Sequence, residues 1–596
     1  MGKRRFDYAD NRVDYSEILR PDSSYELEYA VCLTYSLDTE ALLGVLLNLG
    51  KQEDISALLK ENKTQISEAI IETGKKLSVF YNVGCIKISE NNPELHALLA
   101  DRIHQVKLPD KKNNFHPKLW VLQYRHDKEV MIKIVVLSRN LTFDKSLDVA
   151  VEMTGIVGKA INAKNQPIAD LLTFVSQFNN NDKQKKNISD LINNVRKVDH
   201  FELLDCFDDY SFHAFGIYEY KKTNNENCNL LKPRELYKNA KELLGGNSSI
   251  FVISPFLEEE TVLSIIGSST RSCLISRERS VTRKVYDAVI DGTWVINPDF
   301  YSEKYLNDNG TAHINHDVHA KLFYVEKTKE PHKLFLGSLN ASRKAFYGNV
   351  ELLLELTYKK SYISYDGIFQ EFLPENNNPF IRMNPPDNIN SSEEEVFSFK
   401  DELYGIENAV ACKDENGFTI AVSCMNDFEG VEIYPYLLQS KKQPLHKKVI
   451  FSGLKITEVS KLFVIEKAGH TCLVTLEVAG IPEVERENAI LNAIIDKTSF
   501  MSYVKCLLGD SFSEMWATDK KRYMLNSIYR NGEIDNNVYI EAEVYESMLK
   551  TAANNPQNLR EINQLVQRVD KEKVPEDFRK LLDIFISAVG KESKRR

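Results

Sequence analysis

Two sets of residue types recur in the same order along this sequence, and both could act on a phosphate ester. The histidine and the asparagine lie 24 residues apart in the first set and 21 in the second, and the asparagine and the glutamate lie 12 and 11 apart. Two irregular patterns that agree this well indicate an internal duplication. The sets are His116-Pro117-Lys118, Ser138-Arg139-Asn140 and Glu152, then His319-Ala320-Lys321, Ser338-Leu339-Asn340 and Glu351.

The residue types supply what hydrolysis of a phosphodiester needs. One imidazole can attack phosphorus, the other can protonate the leaving oxygen, and two ammonium groups can hold the phosphoryl oxygens. The sequence therefore predicts neither a metal nor a cofactor. The run His313-x-x-His316-x-x-His319 raises the alternative of a zinc site, but the Asn309-Gly310 before it and the apolar strand after it favour an extended segment over a helix face.

Predicted strands position both sets. Each His-x-Lys enters a strand and each Ser-x-Asn ends one, and because residues i and i+2 share a face of a strand, the histidine and the lysine should point into one pocket. Thr142 and Ser342 each stand two residues past their asparagine and suit the start of a helix that favours an anion. We predict that the substrate also contacts the residues around each asparagine, namely Ser138, Arg139, Thr142, Ser338, Ser342 and Arg343.

Over about residues 25–370 this arrangement resembles the phospholipase D superfamily. The commonest motif of that superfamily has an aspartate a few residues after the lysine, and here apolar residues stand in its place. The departure is similar to the His-Lys-Asn variant of tyrosyl-DNA phosphodiesterases and of some nuclease branches. The resemblance implies an α/β fold of two α-β-α half-domains in a pseudo-twofold pair.

The resemblance also implies a role for each residue of the two sets. His116 would form a phosphohistidine, and His319 would protonate the leaving group and then activate water, although the sequence does not settle which histidine attacks. Lys118, Lys321, Asn140 and Asn340 would hold the phosphoryl oxygens. Glu152 and Glu351 would each bond the far nitrogen of an imidazole.

Alternation of helices and strands supports the α/β class and divides the chain. Leu27–Tyr35 predicts a buried strand followed by a helix that Asp38 caps, and Ser249–Pro255 repeats this opening. We expect a first half-domain over 1–180, a connecting segment over 181–245 and a second half-domain over 246–375. A linker over 376–404, a small antiparallel β domain over 405–482 and a helical region over 483–596 would follow.

Composition limits the environment of the protein. Charged residues sum to −10, so any site for a polyanion must be local, and residues 101–145 hold ten Lys or Arg against five Asp or Glu. The nine scattered cysteines indicate reduced core residues. The sequence shows no export signal, no myristoylation signal and no apolar run of membrane-spanning length, which predicts a cytoplasmic protein.

Nucleic acid is the predicted substrate, with DNA favoured over RNA. The observations behind it are the local basic excess, the motif without aspartate, and nearby aromatic residues that could stack on bases, namely Phe115, Trp120, Tyr124, Phe143, Phe346 and Tyr347. Two alternatives stay open: a phospholipid phosphodiesterase or phosphatidyl transferase of the same superfamily, and an inactive scaffold that binds nucleic acid or a partner.

The C-terminal 200 residues exceed what the chemistry needs, which predicts a partner or a regulator. This region also resembles, loosely, the C-terminal parts of bacterial phospholipase D-like proteins found with helicases in anti-phage defence, at Ala479-Gly480-Ile481-Pro482 and the acidic helix after it. The apolar face of the helix from Asp577 favours packing over membrane binding. The sequence gives no indication of the oligomeric state.

Overall fold

The computed structural model describes most of the chain in separate ranges. These are residues 18–20, 24–49, 70–88, 98–142, 146–217, 240–267, 269–297, 317–359, 362–375, 378–386, 398–436, 438–494, 548–549 and 556–592.

Two large sheets, one two-stranded sheet and eight α-helices form the part of the chain that carries both histidine motifs, within the described ranges. The strands are β1 (Glu26–Thr34), β2 (Leu37–Asp38), β3 (Leu77–Asn82), β4 (Ile86–Lys87), β5 (Ile103–Val106), β6 (Leu119–His126), β7 (Glu129–Leu137), β8 (Ala150–Ile156), β9 (Phe207–Phe215), β10 (Ser249–Ile253), β11 (Arg271–Ile275), β12 (Thr293–Ile296), β13 (Leu322–Glu326), β14 (Lys333–Gly337), β15 (Glu351–Tyr358) and β16 (Phe380–Arg382). The helices are α1 (Thr39–Leu49), α2 (Gln166–Ser176), α3 (Asp182–Arg196), α4 (Ala240–Leu244), α5 (Glu259–Ile266), α6 (Arg283–Ala288), α7 (Arg343–Tyr347) and α8 (Tyr365–Phe372).

The two large sheets repeat one topology. The first has the order β5-β3-β1-β6-β7-β8, and the second contains β12-β11-β10-β13-β14-β15 in the corresponding places. In both, the three strands of the βαβ opening are parallel, and the next three run antiparallel in hairpin order. The mixed α/β sheets and the duplication are therefore as predicted.

Apolar side chains fill the space between these sheets and cover their outer faces. Leu119 of the first sheet and Leu322 of the second belong to one shared core, to which α2 and α3 contribute Leu171 and Leu191. The outer face of the first sheet packs on α1, and that of the second sheet packs on α5 to α7. Because the halves share a core, neither face that carries the motifs is free to move alone.

Two predicted boundaries need correction. The segment 181–245 was expected to be connecting structure, but α3 packs into the shared core and β9 is an edge strand of the second sheet, paired with β15. Strand β9 has the alternation of a half-buried strand, with Tyr210, Phe212 and Ala214 buried. Strand β16, beyond the expected end of the second half at 375, pairs with β12 and extends the same sheet.

The rest of the described chain forms two small sheets and four helices. These elements are α9 (Lys400–Gly405), β17 (Ile406–Asp414), β18 (Gly417–Cys424), β19 (Val431–Pro435), β20 (Gln443–Pro444), β21 (Lys448–Leu454), β22 (Leu462–Lys467), β23 (His470–Thr475), β24 (Val478–Ala479), α10 (Glu483–Ile494), α11 (Pro556–Arg568) and α12 (Glu576–Glu592). The strands are mostly antiparallel, as alternation predicted, and enclose a core of their own.

This C-terminal part is joined to the first half by a buried ionic junction. Asp101 is buried and lies 3.2 Å from Lys461 Nζ and 3.4 Å from Arg486 Nη1, while Arg102 Nη2 donates to Glu487 Oε1 at 2.8 Å. Helix α12 buries Phe578, Leu582 and Phe585 in the core behind the first sheet. The packing alternative for this helix is therefore the one observed.

Among the helices of the described ranges, none combines the length and the hydropathy that crossing a bilayer requires.

Candidate active site

The two halves exchange short parallel bridges at the ends of their strands. Phe115 pairs with Val350 and Leu147 pairs with Val318. As a result the His116 amide donates to the Val350 carbonyl at 2.9 Å, and the His319 amide donates to the Leu147 carbonyl at 2.9 Å. The backbone of each histidine is thus hydrogen-bonded to the segment that precedes a strand of the opposite half, β15 for His116 and β8 for His319.

His116 is held by a carboxylate of the second half. Its Nδ1 donates to Glu351 Oε2 at 2.9 Å, and Glu351 is fully buried. Glu351 also accepts from Ser338 Oγ and, at 3.0 Å, from Asn349 Nδ2. Burial lowers the pKa of His116 to about 4, against the opposing effect of Glu351. The imidazole is therefore neutral at pH 7, with its proton on Nδ1 and a lone pair on Nε2.

His319 faces a carboxylate of the first half. Its Nδ1 lies 3.9 Å from Asp148 Oδ1, and both side chains are 14% exposed. Asp148 accepts from Ser138 Oγ at 2.8 Å, as Glu351 does from Ser338. Burial lowers the pKa of His319 to about 2, and the charges of Lys321 and Lys118 contribute to this. The second imidazole is therefore also neutral at pH 7.

Glu152 does not have the predicted role. It lies on β8, half of its side chain is exposed, and it forms an ion pair with Lys133 at 2.7 Å. Four residues of extended chain, about 13 Å, separate it from Asp148. The segment between the asparagine and the next strand is shorter in the first half than in the second. Counting a similar number of residues from each asparagine therefore selects Glu152 instead of Asp148.

The lysines and asparagines have matched positions in the two halves. Lys118 Nζ donates to the carbonyl of His116 at 3.0 Å, and Lys321 Nζ donates to that of His319 at 2.6 Å. Both lysines are buried, and burial together with the charge of Lys321 holds the pKa of Lys118 well below its usual range. Two buried lysines whose charges act on each other favour an anion between them.

Each asparagine carries a buried side-chain oxygen. Asn140 and Asn340 are 8% and 7% exposed, and their side-chain oxygens have no hydrogen-bond partner within the described ranges. Buried amide groups without partners are costly, and they are found where a ligand completes the bonding. The structure thus brings the two histidines and the two lysines within reach of one another's charges, and each asparagine follows the strand that pairs with the one its His-x-Lys enters.

The predicted substrate-binding residues have mainly structural contacts. Ser138 and Ser338 are fully buried and donate to Asp148 and Glu351 rather than facing a cavity. Three others lie on the connections that follow. Arg139 donates to the Thr142 carbonyl at 3.1 Å, and Ser342 caps α7 by accepting from the amide of Ala345.

Arg343 is exposed, and its backbone amide donates to Glu258. It lines a pocket of about 460 Å³ with Tyr347. His313 and His316, on which the zinc alternative rests, and the helix expected after Thr142 lie outside the described residues.

Three residues near the site were missed by the sequence reasoning. Asp148 directly precedes Val149, whose carbonyl accepts from the Ser138 amide, as Glu351 precedes Leu352, whose carbonyl accepts from the Ser338 amide; only the structure shows this match. Tyr35 ends the first predicted strand, and its ring centroid lies 5.1 Å from that of His116. Arg277 donates to the carbonyl of Val318, directly before His319, at 3.2 Å. No sequence signal marks Arg277.

A family comparison bears on the first of the two halves. Residues 4–203, about a third of the chain, match the family model described as tyrosyl-DNA phosphodiesterase. This confirms the resemblance to the phospholipase D superfamily. No curated protein sequence matches the chain significantly.

Solved structures of two kinds are similar to parts of the chain. The yeast tyrosyl-DNA phosphodiesterase has 9% sequence identity and a TM-score of 0.33, and the match covers 56% of this chain and 82% of that one. The phosphatidylserine synthase of Haemophilus influenzae Rd KW20 has 9% identity and a TM-score of 0.32, with 62% and 84% covered.

Proposed function

We propose that this protein is a phosphodiesterase that cleaves nucleic acid without a metal ion, through a phosphohistidine intermediate. The observation that carries the proposal is the matched pair of half-sites, in which each histidine faces a carboxylate of the opposite half, at 2.9 Å for His116 and at 3.9 Å for His319. The tyrosyl-DNA phosphodiesterase family model supports phosphodiester chemistry on a DNA substrate.

His116 is the proposed nucleophile. The 2.9 Å bond to Glu351 keeps the proton on Nδ1, so Nε2 can attack phosphorus while the bond to the leaving oxygen breaks. The developing imidazolium is stabilised by the buried carboxylate. Lys118, Lys321, Asn140 and Asn340 neutralise or hydrogen-bond the phosphoryl oxygens during this step.

His319 is the proposed acid and base. Its pKa is about 2 because of burial and of the nearby charges of Lys321 and Lys118, so an anionic phosphodiester between those lysines will raise that pKa. His319 then gives its proton to the leaving oxygen. In the second step it takes a proton from water, which attacks phosphorus and releases His116.

A lysine-rich surface beside the site supports a polyanionic substrate. Lys111 and Lys112 precede His116, Lys344 follows Asn340 and Lys400 begins α9. Lys400 Nζ donates to the Lys111 carbonyl at 2.9 Å, and burial and the charge of Lys400 lower the pKa of Lys344. Two carboxylates, Asp110 and Asp401, lie in the same area, and Asp401 pairs with Lys111. The four lysines outnumber the two carboxylates, and the net positive charge of this surface favours binding of a nucleic-acid backbone.

The test is cleavage of labelled single- and double-stranded DNA and RNA, and of an oligonucleotide joined to tyrosine through a phosphodiester, all in excess EDTA. We expect wild-type cleavage and its loss in His116→Ala and His319→Ala. The control is His126→Ala, which changes an exposed histidine at the far end of β6. Under single-turnover conditions His319→Ala should accumulate a labelled protein–phosphate adduct that His116→Ala lacks.

Each of the other outcomes has a definite meaning. Cleavage that needs a metal and survives both substitutions would refute the mechanism. Cleavage of phospholipid vesicles but of no nucleic acid would refute the substrate. A role in anti-phage defence with a helicase-type partner, and a cytoplasmic location, stay predictions.

A further inference from the structure

The aromatic residues that were expected to stack on bases are mostly core. Phe115, Trp120 and Tyr124 are fully buried, and Phe346 is 4% exposed. Phe143 lies outside the described residues, and Tyr347, at the end of α7, is 54% exposed as expected. Phe256, which is not among the expected residues, is 47% exposed and lies in the loop between β10 and α5.

The backbone that carries Phe256 is held firmly although its side chain is exposed. Ser254 Oγ donates to the Phe256 carbonyl at 2.8 Å, and Ser280 Oγ donates to the Pro255 carbonyl at 2.8 Å. The amide of Ala341 donates to Ser254 Oγ at 3.0 Å, and Leu257 bridges to Ala341. Ala341 directly follows Asn340, so this loop is fixed next to the second half-site.

Arg277 links the ring of Phe256 to the second histidine. The guanidinium carbon lies 4.5 Å from the Phe256 ring centroid, which places it over one face. The same guanidinium donates to the Val318 carbonyl and pairs with Asp317 at 2.9 Å, and it is only 10% exposed. The opposite face of the ring is therefore the part that is open to solvent.

The corresponding loop of the first half is fixed in the same way. There Thr34 takes the place of Ser254, because its Oγ1 accepts from the Leu141 amide at 3.0 Å and donates to the Ser36 carbonyl at 2.8 Å. In this register Ser36 corresponds to Phe256, and Tyr35, whose ring lies beside His116, corresponds to Pro255. The ring at position 256 therefore belongs to the second half alone, where its contact with Arg277 fixes it.

We infer that Phe256 is a stacking platform for a nucleobase next to the scissile phosphate, an inference that rests on the proposed nuclease function. A base has a large flat face of the kind that an exposed ring over a guanidinium accepts, whatever its sequence. Arg277 fixes the ring and places a cation beside the phosphodiester backbone. An acyl chain would gain no comparable fit, so the platform distinguishes nucleic acid from lipid.

The test uses labelled single-stranded oligonucleotides with and without abasic positions flanking the cleavage site. In Phe256→Ala and Phe256→Leu we expect KM on normal oligonucleotides to rise about 5- to 150-fold, the range that corresponds to stacking of one base on one aromatic side chain. Phe256→Tyr and Phe256→Trp should stay within about threefold of the wild type, because they keep the ring. On oligonucleotides with an abasic flanking position the difference between Phe256→Ala and the wild type should disappear.

The matched control is Tyr362→Ala. Tyr362 is 45% exposed and follows the end of β15, a strand of eight residues that begins with Glu351, so it lies about 20 Å or more from the site. Tyr362→Ala should leave KM unchanged on both the normal and the abasic oligonucleotides. Thermal melting of each variant separates loss of the ring from loss of the fold.

Binding in the His116→Ala background separates this inference from the function on which it rests. If the His116→Ala variant binds no oligonucleotide and the wild type cleaves none, the proposed function fails and the stacking platform fails with it. If it binds, but Phe256→Ala binds equally, or loses as much affinity for the abasic oligonucleotide, the platform alone is refuted. A KM of Phe256→Leu on normal oligonucleotides as low as that of Phe256→Tyr would also refute the stacking platform.

Discussion

Exchange of each acidic residue for its amide tests the crossed carboxylates directly. Glu351→Gln removes the charge that orients His116 and stabilises its imidazolium, while keeping the size of the side chain and its bond to Asn349 possible. A hydrogen bond to a charged group contributes about 1.5–3 kcal/mol, which corresponds to a fall in kcat of about 10- to 150-fold. Asp148→Asn should cost less, about fivefold, because a partly solvated pair at 3.9 Å contributes about 1 kcal/mol. Glu152→Gln should leave kcat unchanged.

The pH profile separates a positioning role from a general loss of structure. Glu351 raises the pKa of His116 against the effect of burial, so without its charge the acidic limb of kcat/KM should move to lower pH. The assay is single-turnover cleavage of one labelled oligonucleotide across pH, with melting temperature as the check on folding. Equal losses in Glu152→Gln and Glu351→Gln, or a limb that moves to higher pH, would refute the assignment.

Three further predictions follow from charges and burial. The pKa of His116 is 6.5 in the unfolded chain and about 4 in the folded protein. The free energy of unfolding of the wild type should therefore fall by about 3 kcal/mol as pH drops through this window, at about 1.36 kcal/mol per pKa unit. Denaturant titrations at a series of pH values should show that His116→Gln removes this part of the pH dependence. Inorganic phosphate in the site should raise the pKa of His319 in NMR titrations of the imidazoles, and no change would contradict an anion site between the lysines. Arg486→Met should cost about 3–5 kcal/mol in unfolding experiments, because Asp101 keeps its buried charge with one partner fewer; a loss under 1 kcal/mol would contradict this.

The sequence could predict the elements that hold the site because their signals are local. Observed β1 and β10 lie within a few residues of the expected bounds, while β6 begins directly after Lys118 and β7 ends directly before Ser138, as the two motifs predict. Asp38 was expected to cap the first helix, and its Oδ1 accepts from the Glu40 amide at 2.9 Å. Two copies of the same order of residues then identified the duplication without any knowledge of packing.

The carboxylates could not be assigned from spacing, because their place depends on pairing between distant segments. His116 and Glu351 are 235 positions apart, and only the bridge between Phe115 and Val350 brings them together. The aromatic residues failed for a different reason. Both faces of each large sheet are covered, so an aromatic residue inside a strand is core whichever way it points. The exposed rings near the second half-site lie outside the strands, Tyr347 on α7 and Phe256 in a loop.

The crossed seating of the histidines also affects the newly made chain. During synthesis, a chain that has emerged only to residue 300 has His116 and Lys118 but lacks Glu351, Lys321 and Asn340, so no half-built site can act on the nucleic acid around the ribosome. The same holds for fragments left by proteolysis between the halves. For the proposed nuclease, activity therefore begins only when two segments more than 200 residues apart have paired, which makes cleavage a measure of the pairing of the two halves.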